Sequence, residues 1–215
     1  MNKSILVFAV AIAAVAPSQA VVFYNAASHG DNGTVQSQFY TDLGIAGPSN
    51  LEDFESYGIG TNMNGVTITG GLTFNNTGTG ALEVRGPNQF GGASPNGQRG
   101  LWHNESPWLE LSFATPVQYV GGVDIDHTAG TVRVTTQSGA TSTFSLDSTS
   151  GANQDFEFWG LRADVTGEWI TKVEFDVGGD SSWGIDDVQY GPVPEPTTLG
   201  ILALSALALK RRKKN

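Results

Sequence analysis

The chain has 215 residues, 39% of them hydrophobic, no cysteine, and a formal net charge of −10 at pH 7. That length holds one domain of ordinary size plus extensions, and the missing thiols exclude disulfide staples and cysteine chemistry. Residues 21–192 carry five basic side chains against twenty acidic ones, a surface that repels nucleic acid and anionic lipid and suits divalent cations or neutral glycans, or serves solubility alone.

The N-terminus reads as a signal peptide over residues 1–20. Lys3 forms the positive end, Ile5 to Ala16 the apolar helix, and Pro17-Ser18-Gln19-Ala20 the small-residue cleavage site, with the cut after Ala20. The apolar stretch is too short for a transmembrane helix of about 20 residues. From Val21 onward the texture changes. One short helix is predicted at Thr34–Leu43, with Thr34 as cap, Val35, Phe39 and Leu43 on one face, and Gly44 as stop.

The remainder of 21–192 is all-β. Strands are predicted at Leu51–Tyr57, Val66–Thr69, Leu72–Asn75, Ala81–Arg85, Trp108–Phe113 and Val117–Asp126. They continue at Thr131–Thr136, Thr141–Leu146, Phe156–Arg162, Trp169–Val177 and Trp183–Tyr190. Thr128-Ala129-Gly130 and Ser138-Gly139 read as turns of a meander. This spacing predicts a two-sheet antiparallel β-sandwich of jelly-roll type.

The stretch RGPNQFGGASPNGQRG, Arg85 to Gly100, reads as a long loop leading to Trp102. Asn88, Gln89, Asn96, Gln98 and Arg99 can hydrogen-bond sugar hydroxyls beside a Trp102 platform; a bare surface loop is the alternative. Trp159, Trp169 and Trp183 are assigned to core strands. Enzyme signatures are absent: no Gly-x-Ser-x-Gly, no His-Glu-x-x-His, no phosphate loop. His29, His103 and His127 stand far apart. Asp124 and Asp126 alternate onto one strand face, but twenty acids yield such a pair by chance.

Two words carry more information. In LEDFESY, a continuous strand puts Asp53 and Glu55 on one face about 7 Å apart, and two carboxylates there repel without a positive neighbour. In WGIDDVQYG, strict alternation drives Asp187 into the core with Trp183 and Ile185, so either a bulge turns it out or a cation holds it. Calcium, with six to eight oxygen ligands, suits such a place; solvated edge carboxylates are the alternative. No Lys or Arg lies near these acids in the sequence.

The last 23 residues differ from all the rest. Val193-Pro194-Glu195-Pro196 leads into thirteen mostly apolar residues, 197–209, and then Lys210, Arg211, Arg212, Lys213 and Lys214. As a helix the run is about 20 Å long, short of the roughly 30 Å hydrocarbon core, so it spans only with snorkelling flanks. The basic end stays cytoplasmic.

These three parts in this order, over 193–215, resemble the PEP-CTERM sorting signal, a tail also labelled an ice-binding-protein C-terminal domain. The resemblance implies a Gram-negative host and an exosortase acting at Pro194, Glu195 and Pro196. It also implies a transient inner-membrane anchor and delivery to the cell surface or extracellular matrix. LEDFESY and WGIDDVQYG, with YVGGVDID and FEFWGLRAD, also resemble jelly-roll domains that precede such tails and galactose-binding-type carbohydrate modules. That resemblance implies a structural calcium shared by the early and final strands and carries over to Glu55, Asp186 and Asp187; Asp53 joins them by position. The reading is an exported, non-catalytic surface or matrix protein associated with glycan or exopolysaccharide. The alternatives are a jelly-roll glycoside hydrolase or polysaccharide lyase, and a structural matrix protein without ligand.

Overall fold

The computed structural model describes residues 20–27, 29–78, 80–86, 97, 99–103, 108–125, 129–146, 156–165, 167–176 and 183–192. The signal peptide expected at 1–20, apart from Ala20, and the tail 193–215, with its apolar run 197–209, lie outside them. Among the described residues no helix is long and apolar enough to cross a membrane.

The predicted sandwich is present as two antiparallel sheets. Sheet A runs β1 (Val21–Asn25), β11 (Phe156–Ala163), β8 (Tyr119–Ile125), β13 (Trp183–Gly191), β6 (Gly100–His103) and β5 (Leu82–Arg85). A short β2 (Asn50–Glu52) shares with β6 the edge of β13 opposite β8. Sheet B runs β10 (Thr141–Leu146), β9 (Gly130–Thr136), β12 (Ile170–Asp176), β7 (Leu109–Val117), β4 (Leu72–Asn76) and β3 (Val66–Thr67).

The inner faces follow from alternation. Leu72 and Phe74 on β4, and Val132 and Val134 on β9, are fully buried while their neighbours are partly exposed. Aromatic rings bridge the two sheets. Phe175 of β12 meets Trp159 at 4.8 Å and Trp183 at 5.9 Å between ring centroids, and Phe113 of β7 meets Tyr190 at 5.5 Å. Without disulfides, this aromatic bulk carries the cross-sheet cohesion.

The helix forms where the sequence places it, but two residues early. α1 spans Asn32–Leu43, so Thr34 lies inside its first turn and Asp31 takes the cap position without a side-chain cap bond. What fixes the start is tertiary. Asn32 donates its side-chain amide to the Phe156 carbonyl (2.8 Å), and its Oδ1 accepts the Phe158 N–H (2.7 Å), continuing the edge that β1 leaves. Gly44 ends the helix at φ 65°. Phe39, fully buried, is the anchor of α1 on sheet A, with ring centroids 5.5 Å from Phe158 and 5.2 Å from Tyr24. Gly160 makes that contact possible, because a Cβ there would lie 2.9 Å from the Phe39 ring. Covered by α1 on one side and the core on the other, the central strands β8 and β13 are buried at every position.

Several sequence expectations need correction. Leu51–Tyr57 is not one strand: pairing stops at Glu52, and Phe54 turns with φ 56° to bury its ring against Phe74. The early acids therefore sit in a turn. β1 and β6 were not foreseen, so Trp102 is a strand residue. Trp169 precedes β12 and is only half-buried.

Candidate functional site

Alternation along the final strand predicts a conflict at Asp187, and the chain resolves it with a bulge. Asp186 pairs with Val123 and Gln189 with Gly121, so Asp187 and Val188 together stand against Gly122. Asp187 takes φ 49°. After it the parity is reversed: Val188 and Tyr190 enter the core beside Trp183 and Ile185, and Gln189 faces α1.

The bulge gathers carboxylates. Asp186 is 1% exposed and its Oδ1 accepts the Asp187 N–H at 2.7 Å. Burial, then Asp187, then Asp53 and Glu55, push the Asp186 carboxyl up to about 8 against the opposing pull of the Asp187 N–H. Glu52 is also raised, by burial and Asp53, although its Oε1 accepts the Phe54 N–H at 2.7 Å. The four acids expected to share a cation thus do share a neighbourhood. Their donor atoms are partly engaged. Asp53 Oδ1 accepts the Glu55 N–H at 3.1 Å, and Glu55 Oε1 accepts the Arg99 N–H at 2.9 Å. Among the described residues no three of the chain's His, Asp and Glu side chains converge closely enough to hold a metal ion. A basic neighbour also exists, against expectation: the Arg99 guanidinium donates to the Glu55 carbonyl. Chain separation of 44 residues hid that contact.

The expected sugar platform has a different setting. Trp102 lies on the outer face of β6, opposite Glu83, against Ile125 and Phe156. The Arg85 guanidinium sits 5.0 Å from the centre of its ring and pairs with Glu83 at 2.6 Å. A sugar stacking on that face must displace Arg85. Arg99 is held at Glu55, and Asn88, Gln89, Asn96 and Gln98 lie outside the described residues.

The burial of His103 and Asp124 escaped the sequence reading, and Glu157 escaped it altogether. His103 and Trp183 are register partners on the inner face of sheet A, and His103 Nε2 lies 3.2 Å from Asn76 Oδ1. Burial pulls His103 down to about 4. Asp124 and Glu157 are paired across β8 and β11, 0% and 1% exposed. Alternation with Trp159 in FEFWG is the signal that Glu157 points inward. Asp126 lies outside the described residues.

Residues 192–214 match the PEP-CTERM protein-sorting motif, so the chain carries that motif. No curated protein matches the chain. Among solved structures, a xylan-binding domain of carbohydrate-binding family 22 matches at 14% identity and TM-score 0.43, covering 69% of this chain and 96% of that one. The C-terminal family 22 carbohydrate-binding module of Clostridium thermocellum Xyn10B matches at 13% and 0.43, covering 70% and 97%. The enzymatically active domain of bacteriophage CBA120 tailspike protein 4 matches at 15% and 0.36, covering 60% of this chain, which spans only 21% of that protein.

Proposed function

We propose that this is an exported protein whose β-sandwich is handed by an exosortase to the cell surface or extracellular matrix, where it associates with glycan without catalysing a reaction. The observation that carries the proposal is where the last described strand ends. β13, central to sheet A, is buried through Gly191, and the sorting motif begins at residue 192. A cut near Pro196 therefore leaves every described strand whole. The other end agrees. Val21, fully buried, is the first residue paired in β1, directly after the expected cleavage at Ala20. Among the described residues, cutting there gives up the backbone bond from the Asp164 N–H to the Ala20 carbonyl at 2.9 Å. Catalysis is disfavoured because a catalytic carboxylate must meet substrate, and Asp124 is fully buried. Intact mass of the surface-released protein tests the proposal: it should begin at Val21 and end near Pro196. A surface protein retaining Leu199–Asn215 overturns the sorting step and leaves a tail anchor.

The same reading includes a calcium ion at the bulge, which would draw Asp186, Asp187, Glu55 and Asp53 together, with carbonyls and water completing the shell. The like charge around Asp186 supports it. The ion would supply charge compensation and a tie between the turn after β2 and β13. Chelator should lower the melting temperature by several degrees; at a hundred times its Kd, a bound ion adds about 2.7 kcal/mol.

A further inference from the structure

On the outer face of sheet A, α1, the segment before β2 and the bulged end of β13 enclose a cavity of about 200 Å³, lined by Gln36, Tyr40, Pro48, Leu51, Asp187 and Gln189. We propose that this cavity binds one neutral sugar unit of the glycan, an inference that rests on the glycan-associated reading above.

The polar side of the cavity is a built hydrogen-bond chain. Gln36 donates its Nε2 to the Tyr40 hydroxyl at 3.2 Å, and that hydroxyl donates to Oε1 of Gln189. Gln189 is 1% exposed, and the bulge's change of parity is what turns it toward the helix. The direction of the chain leaves acceptor capacity on Gln36 and Tyr40 and the two N–H donors of the Gln189 amide. Such a mixed set suits hydroxyl groups, which both donate and accept. The opposite side is apolar. Leu51, on β2, is 55% exposed, one of two large hydrophobics so exposed among the described residues, and Pro48 adjoins it. A pyranose ring has the matching two-sided character, hydroxyls at its edge and C–H groups on its face. Size and charge narrow the choice. The cavity is smaller than the roughly 300–1,000 Å³ that takes drug-sized ligands, so one ring fits and the rest of a glycan extends outside. The lining includes Asp187 and neither lysine nor arginine, which disfavours uronate or sulfated sugars.

The test uses the full-length protein in a detergent without a sugar headgroup. A glycan array with neutral and acidic glycans identifies a neutral glycan, whose affinity is then measured by calorimetry. Tyr40→Phe removes only the hydroxyl at the centre of the chain. Leu51→Asn makes an exposed position polar without adding charge to the acids nearby, and its melting curve checks that it folds. Both should weaken binding about tenfold or more, the effect of losing one good contact, while Trp102→Ala should change it less than threefold. Wild-type affinity in both cavity variants overturns this site and leaves the glycan reading standing. Selective binding of acidic glycans overturns it as well. Absence of binding by the wild type to any glycan overturns the glycan reading, and this site with it.

Discussion

Asp186→Asn isolates the electrostatics of the bulge. In the unfolded chain this carboxyl loses its proton near 3.8; in the folded protein, burial and the neighbouring acids hold the proton to about 8. Between those values the folded state binds one proton more than the unfolded state, so stability falls as pH rises. At about 1.4 kcal/mol per pH unit, the full penalty is of order 5 kcal/mol, undiminished by solvent because the side chain is 1% exposed. His103 runs the other way. Its folded value of about 4 makes stability rise with pH up to its unfolded value of 6.5, so the two slopes offset one another below that point. From 6.5 to 8 the carboxyl acts alone, costing ~2 kcal/mol, or about 4–8 °C for a chain of this size. The asparagine keeps an acceptor for the Asp187 N–H and has no proton to lose. His103 titrates alike in both proteins and cancels from their difference, so melting curves in chelator from pH 4 to 9 should diverge steadily from about pH 4 to 8, about 2 kcal/mol of that divergence falling above pH 6.5. Millimolar calcium should reverse the order, because only the wild type offers all four carboxylates of the proposed site. Parallel curves in chelator would refute the assignment of Asp186 as a crowded buried acid.

Three further outcomes follow from particular contacts. His103→Gln keeps a donor for Asn76 but removes the titration, so the ~3 kcal/mol that His103 alone takes from the wild type between about pH 6.5 and 4 should appear as a relative gain of the variant over that range in acid denaturation curves. Gly160→Ala puts a methyl group 2.9 Å from the Phe39 ring; it should cost about 1–3 kcal/mol and raise hydrogen exchange in α1 while amides of sheet B stay protected. Trp102→Ala removes a ring packed on Ile125 beneath Arg85 and should lower the melting temperature by several degrees; a stable variant with weakened glycan binding would instead restore the stacking platform.

Local patterning made much of this fold legible. β4, β9 and β10 read directly from alternation between turn residues, and α1 from its Phe39–Leu43 stripe and Gly44. Elements defined by distant partners were not legible. β6 is four residues beside a glycine-rich stretch, and it counts as a strand because β13 and β5 flank it. β1 is five residues at Val21–Asn25, and β11, about 140 residues away in sequence, gives it a place. The same rule governs the site. Asp186 and Asp187 announced themselves by breaking alternation within their own strand. The Arg85–Trp102 and Arg99–Glu55 contacts join separate segments, and no local pattern encodes them.

The bulge at Asp187 links these observations. With unbroken alternation, Gln189 and Gly191 would face the core and Tyr190 would face α1. The inserted residue instead lets the Tyr190 ring meet Phe113 and its hydroxyl donate to the Thr69 carbonyl at 2.6 Å, while Gln189 meets Tyr40. One register shift thus saves the core, crowds the acids and forms the polar wall of the cavity. For the shift itself, glycine is the residue of choice at φ 49°, since it reaches the left-handed region without steric cost. An acid there adds repulsion toward Asp186. Asp187→Gly should therefore leave the melting temperature in chelator unchanged or raised, the backbone terms of about 1 kcal/mol nearly offsetting and the repulsion being relieved. In calcium it should lose the stabilisation that the wild type gains. A large loss of stability in chelator would mean that the Asp187 carboxylate serves the fold rather than a bound cation.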